Sequence, residues 1–106
     1  MPTPTDDRRD LLTVIAFMYA APGNRDELRA ALVGLVEPTT RDKGYVNYDV
    51  HQSLEDPDMF LFYENWECAA DLDAHLAAPH LTKMAGPISE LLDERGVTVH
   101  RIQRIA

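Results

Sequence analysis

A chain of 106 residues is long enough for one domain and leaves little for a second. Hydrophobic residues make up 45% of it and charged residues 26%, which excludes wholesale disorder. Asp and Glu number 18 against 10 Lys and Arg, and the formal net charge of −8 repels phosphate backbones and anionic membranes, so neither nucleic acid nor a membrane is expected as a partner. The single Cys68 forms no internal disulfide and points to a reducing, cytoplasmic setting.

Met1 to Asp10 is polar, contains Pro2 and Pro4, and reads as a flexible tail ahead of a single domain over residues 11–106. Leu11 to Ala21 is an apolar run behind Arg8 and Arg9 with the outline of a signal peptide. Asp6, Asp7 and Asp10 spoil the positive leader, and the run is too short to span a bilayer. Its Val14, Ile15, Phe17 and Tyr19 instead predict a first strand over Leu11–Ala20, closed by the turn pair Pro22-Gly23. Asn24 with Glu27 three residues on reads as a capping-box variant. It opens a helix whose Leu28, Ala31, Leu32, Leu35 and Val36 share a face, stopped near Pro38.

Tyr45–Gln52 and Met59–Trp66 read as strands joined by a turn built on Asp56-Pro57-Asp58. Ala69–Ala77 reads as a helix, Pro79 interrupts it, and a second piece runs to Gly96 with a kink or break at Gly86-Pro87. Val97–Ile105 supplies the last strand.

The order β-α-β-β-α-β predicts an α+β fold of the ferredoxin-like, split βαβ kind, a four-stranded antiparallel sheet with the helices on one face. In Met59–Trp66 one face carries Phe60, Phe62, Glu64 and Trp66 and the other Met59, Leu61, Tyr63 and Asn65, so neither is made for water. Two helices cover one face only. A second copy of the same sheet is the economical cover for the other, and a homodimer is expected.

Leu12-Thr13-Val14-Ile15-Ala16 running to Pro22-Gly23, then Gly44 with Tyr48-Asp49-Val50-His51-Gln52, then Tyr63-Glu64-Asn65-Trp66-Glu67, then Ala74-His75-Leu76 with Pro79-His80, stand in that order. Together they resemble the antibiotic biosynthesis monooxygenase family, in particular its small quinol-monooxygenase-like branch, from about Leu11 to Ile105. The resemblance implies a dimeric α+β barrel with a pocket between sheet and helices. It also implies oxidation of a small electron-rich aromatic, a phenol or hydroquinone, to a quinone, with O2 as co-substrate and no metal, flavin or haem cofactor. The same fold serves haem-degrading enzymes, isomerases and proteins without known activity. A non-catalytic small-molecule-binding dimer and an isomerase of a small oxygenated metabolite therefore stand as alternatives.

His75 shares a helical face with Leu72 and Leu76 and is the candidate general base, or else a buried histidine with one structural hydrogen bond. His80 could reach the same pocket mouth, or cap the next helix. The two histidines are five apart rather than four and no neighbouring acidic cluster completes a set, so no metal site is expected. Trp66 suits an aromatic pocket wall, and Glu64 on the same face needs a buried partner. Asn47, grouped with Tyr45, Asp49 and His51, could orient a phenolate oxygen as a second catalytic residue, and Tyr48 could do so from the opposite face; the sequence leaves open which face lines the pocket. Ala16 stands where haem-degrading relatives place an Asn. Phe62 and Leu72 stand where polyketide-oxidising relatives use polar residues, so both are expected as apolar pocket lining. Cys68, among Glu64, Glu67 and Asp71, reads as a passive thiol.

Overall fold

Alternation in the first strand puts Val14, Ala16, Met18 and Ala20 on one side of the chain, and the computed structural model, which describes residues 8–106, buries that side. The strand is β1 (Leu12–Ala20). It is followed by α1 (Arg25–Val33), a single turn α2 (Val36–Thr39), β2 (Tyr45–Gln52), β3 (Met59–Trp66), α3 (Ala69–Leu76), α4 (Pro79–Leu91) and β4 (Leu92–Ile102). The sheet is antiparallel in the order β2-β3-β1-β4, the ferredoxin-like arrangement that the element order predicts. Leu28, Leu32 and Leu35 before β2, and Leu72 and Ile88 after β3, pack on the face made by Val14, Ala16, Met18, Phe60, Phe62 and Trp66. Among the described residues no helix is long and apolar enough to cross a membrane.

The expected loose tail falls mostly on residues 1–7, outside the described residues. Arg8, within the same stretch, is held by Asp10 and by Glu67 at 2.8 Å.

Three local expectations change. Asn24 makes no side-chain cap; its amide reaches the Leu91 carbonyl at 3.4 Å and ties the start of α1 to the end of α4. The second helical piece starts at Pro79, as expected, but runs unbroken through Pro87. Lys83, Gly86 and Pro87 are all exposed, so the carbonyl that Pro87 leaves unserved lies on the solvent side, while Leu81, Met84, Ile88 and Leu91 hold the helix to the core. β4 begins at Leu92, five residues ahead of the expected start. Ala20 pairs with Leu92 and Met18 with Val97, so residues 93–96 bulge out opposite Tyr19, with Gly96 at φ 62° and the Arg95 guanidinium 3.5 Å over the Tyr19 ring.

The opposite face of the sheet carries Ile15, Phe17, Met59, Leu61 and Tyr63, half-buried and covered by no described helix, with Tyr19 beneath Arg95 at its edge. Toward one end it is bridged by a polar ladder: Thr13 donates to Asn65 at 2.6 Å, Asn65 to Asn47 at 2.8 Å, and Asn47 to Asp49 at 3.0 Å.

The loop before β2 turns on Gly44, whose φ of 78° is left-handed and whose missing Cβ leaves room for the Asp71 side chain. Any Cβ there would overlap the Asp71 carboxylate. Gly44→Ala should therefore lower stability by about 1–3 kcal/mol in urea unfolding, from backbone strain plus displacement of a buried carboxylate. A variant as stable as the parent would mean that this loop is free to relax.

Candidate functional site

Between the sheet and α3 and α4 lies a cavity of about 240 Å³, at the small end for a ligand site. Val14, Ala16, Met18 and Phe62 form its floor, Leu32, Leu35, Leu72, Leu81 and Ile88 its roof, and Val97 and Val99 its rim. Its polar groups are few: Tyr48, Glu64, His75, Ser89 and Arg101. Leu76, Val97 and Val99 are 50–55% exposed, so the cavity opens between the helices and β4.

His75 is carried inward by the helical spacing that buries Leu72 and His75 together. Its Nδ1 lies 2.8 Å from Asp42 Oδ2, and its Nε2 has no partner among the described residues and faces the cavity. The direction of the bonds around Asp42 follows from Thr39. The Thr39 hydroxyl donates to the Leu35 carbonyl at 2.7 Å, so toward His80 Nε2, 3.1 Å away, it can only accept. His80 therefore carries its proton on Nε2, which also faces Asp42 Oδ2 at 3.3 Å. Asp42 is the acceptor for the His75 Nδ1–H, with the His80 Nε2–H, bonded to Thr39, close beside it, and the Nδ1–H tautomer of His75 leaves the Nε2 lone pair pointing into the cavity. Burial lowers the pKa of His75 against the opposing pull of Asp42, so the ring is neutral at pH 7 and able to take a proton.

Trp66 is 0% exposed and its ring lies against His75, with centroids 4.5 Å apart. The indole Nε1 donates to Glu64 Oε1 at 2.9 Å. Burial pushes the Glu64 carboxyl up to about 7, the Trp66 hydrogen bond opposing it only in part. Tyr48 packs against Phe62 and His75. Burial, with Glu64 and Asp42 adding to it, raises Tyr48 far above the usual tyrosine range, and the phenol stays protonated. Its hydroxyl has no partner among the described residues and is available to a ligand.

Of the residues singled out from the sequence, His75, Tyr48, Glu64, Phe62 and Leu72 meet around the cavity. Three others do not line it. Asn47 sits on the opposite face of the sheet, because it alternates with the cavity-lining Tyr48 and pairs with Asn65 behind it; a bulge between Tyr45 and Asn47 sets Tyr45 against Trp66 on the helical side instead. Asn47 is spent in the polar ladder and cannot meet a ligand in the cavity. Trp66 lies behind Glu64 and His75 rather than in the wall, and acts by holding both. His80 stands behind His75, their rings 5.8 Å apart, and borders a separate groove with Lys83 and Met84.

Asp42 and Thr39 went unnoticed in the sequence: each is far along the chain from His75, and a loop aspartate carries no periodic signal. With Asp42 in place, the acidic ligand missing from the sequence argument against a metal is present. Asp42, His75 and His80 bring three donor atoms within 4.8 Å of one another. Both imidazole nitrogens are committed as N–H donors, however, so an ion could enter only by displacing both protons. As it stands the group is a hydrogen-bonded chain that fixes a tautomer. Cys68 is exposed, its thiol 3.3 Å from Asp71.

Glu64 supplies a pH test of the burial. Its carboxyl is protonated in both states below about 4.5, and above that the unfolded chain ionises first, so stability falls as pH rises from 4.5 to about 7, by at most about 3 kcal/mol. Glu64→Gln keeps the acceptor for Trp66 and removes this slope. The stability difference between variant and parent should grow in the variant's favour from pH 4.5 to 8 in thermal unfolding; a difference independent of pH would place the carboxyl in water.

The sequence matches the antibiotic biosynthesis monooxygenase family over residues 11–86. It is 32% identical to Rv0793 of Mycobacterium tuberculosis over 81 residues, 76% of this chain and 79% of that protein. The solved structure of Rv0793 superposes with a TM-score of 0.83, covering 91% of this chain and 96% of that one. PA3566 of Pseudomonas aeruginosa, 32% identical, also gives 0.83 over 92% and 96% of the two chains. A crystal structure described as an antibiotic biosynthesis monooxygenase, 29% identical, gives 0.83 over 90% and 99%.

Proposed function

Because the chain belongs to the antibiotic biosynthesis monooxygenase family, we propose that it oxidises a small phenol or hydroquinone with O2 to a quinone, using no bound cofactor. The observation that carries this reading is the neutral His75 with Nδ1 held by Asp42 and Nε2 open to an apolar cavity. Ground-state O2 is a triplet and must accept an electron before it can bond to a closed-shell ring, and a phenol gives that electron readily only as phenolate. His75 Nε2 takes the phenolic proton, and Asp42 stabilises the imidazolium that results. The Tyr48 hydroxyl donates to the phenolate oxygen. The phenolate passes one electron to O2, and the aryloxyl radical and superoxide combine at a ring carbon.

The proton on His75 then returns to the ring-bound peroxide, whose O–O bond breaks as the ring C–H proton leaves. One oxygen remains as the new quinone carbonyl and the other departs as water. All four electrons that reduce O2 come from the substrate. Val14, Ala16, Phe62 and Leu72 keep this region free of competing water. Phe62 and Leu72, apolar where polyketide-oxidising relatives are polar, favour a compact ring over a large polar polycycle.

Oxygen uptake against a panel of hydroquinones tests the reading. His75→Ala should lower turnover by roughly 10²- to 10⁴-fold with the fold retained by circular dichroism, and the limb of the rate that rises with pH below neutrality should vanish. Asp42→Asn should lower the rate while leaving substrate affinity near that of the parent. A folded His75→Ala protein with full activity would remove the base from the proposal. Product formed equally well under argon would make the protein an isomerase.

The cytoplasmic homodimer belongs to the same proposal. The uncovered face with Ile15, Phe17, Leu61 and Tyr63 is supported as the contact by its apolar character and by the absence of any described element over it. Light scattering should give a dimer for the parent and a monomer for Leu61→Glu. A monomeric parent at micromolar concentration would exclude this contact.

A further inference from the structure

The rim of the cavity carries a group for which the oxidation itself has no use. Arg101 on β4 is the one cationic side chain among the lining residues. The strand registers set Tyr48 opposite Glu64, Glu64 opposite Val14, and Val14 opposite Arg101, so these four form a single row across the cavity floor. With adjacent strands about 4.8 Å apart, the Arg101 backbone stands roughly 10 Å from that of Glu64 and roughly 14 Å from that of Tyr48. The adjoining row, Phe62, Ala16 and Val99, is apolar. The floor thus runs from the polar groups beneath His75, across an apolar middle, to a guanidinium at the mouth.

A carboxylate already occupies that guanidinium. Arg101 Nη2 lies 3.1 Å from Asp73 Oδ1, reaching from β4 to α3. The two side chains are 47% and 65% exposed, so the pair is held weakly and exchanges one carboxylate for another at little cost. Asp73 released from the pair turns to water. Among the described lining residues Arg101 is the one cation and Glu64 the one carboxyl, and the overall charge of −8 repels anions from a distance, so selection of an acidic ligand rests on this one contact.

Resting on the phenol-binding reading, we propose that Arg101 is an anion subsite and that the ligand class is the aromatic hydroxy acids. The hydroxylated ring lies at Tyr48, Glu64 and His75, and a carboxylate on a short aliphatic arm takes the place of Asp73 on Arg101. Arg101 is a specificity-determining residue that takes no part in the proton or electron steps. Its fork of N–H donors suits a carboxylate, which it binds across two oxygens.

Titration calorimetry with a hydroxyphenylpropanoate and its methyl ester tests this without requiring turnover. The parent should bind the acid about 3- to 10-fold more tightly than the ester, with the ratio falling as salt is added. Arg101→Gln should bring the ratio to about one while leaving ester affinity unchanged. Asp73→Asn, by removing the competing carboxylate, should strengthen acid binding several-fold and ester binding not at all. An ester bound as tightly as the acid by the parent, or an acid preference that survives Arg101→Gln, would overturn the subsite. A charge-dependent preference in a protein that consumes no oxygen would leave the subsite standing and remove the oxidation; oxygen consumption with no such preference would do the reverse.

Discussion

The register of β1 against its two neighbours is the constraint on which the site depends. Antiparallel pairing with β3 and β4 leaves no freedom in which side chains stand together: once Val14 faces the helices, Glu64 and Arg101 face them too. A slip of one residue on β3 would exchange Glu64 for Tyr63 or Asn65 and send the carboxyl to the opposite face. The central position of β1 and its burial on the helical side make such a slip expensive, and so a carboxyl that would otherwise avoid the interior is held there.

That carboxyl and the imidazole of His75 meet burial in opposite senses. Both are driven toward neutrality, the acid by keeping its proton and the base by losing it. At pH 7 the imidazole is neutral and Glu64 stands near its midpoint, so in a chain with a net charge of −8 the cavity carries less negative charge than a solvated carboxylate would give it, with Arg101 at its rim and Asp42 behind the histidine. Trp66 makes the arrangement rigid: one side of the indole system serves the sheet through Glu64, and its ring serves α3 through His75. Sheet and helix are registered to each other at the point where the chemistry is proposed.

Most of the fold was legible because period and punctuation agreed. β2 and β3 have the bounds that their alternation and the Asp56-Pro57-Asp58 turn set, and the turn closes as those residues dictate, with Ser53 and Asp56 side chains accepting from backbone N–H groups. What escaped were features in which tertiary contact overrides local pattern. Asn24 left its cap for the Leu91 carbonyl, and β4 extended past Glu94-Arg95-Gly96 because a bulge can carry residues that read as a turn. The bulge beside Val46 moved Tyr45 away from Asn47, and of the two faces that the sequence left open it is the Tyr48 face that lines the cavity, which leaves Asn47 behind the sheet. Asp42 was invisible for a different reason, since its value lies wholly in a contact 33 residues away in sequence.

Trp66 has a consequence for how the protein can be observed. It is the only tryptophan of the chain, it is sealed from water, and its two neighbours are titratable groups that burial pushes away from their ordinary ionisation. The indole's excited state is therefore bathed in a field that alters whenever Glu64 gives up its proton or His75 gains one. Intrinsic emission should thus follow site protonation without a label, an indicator built in beside the proposed base.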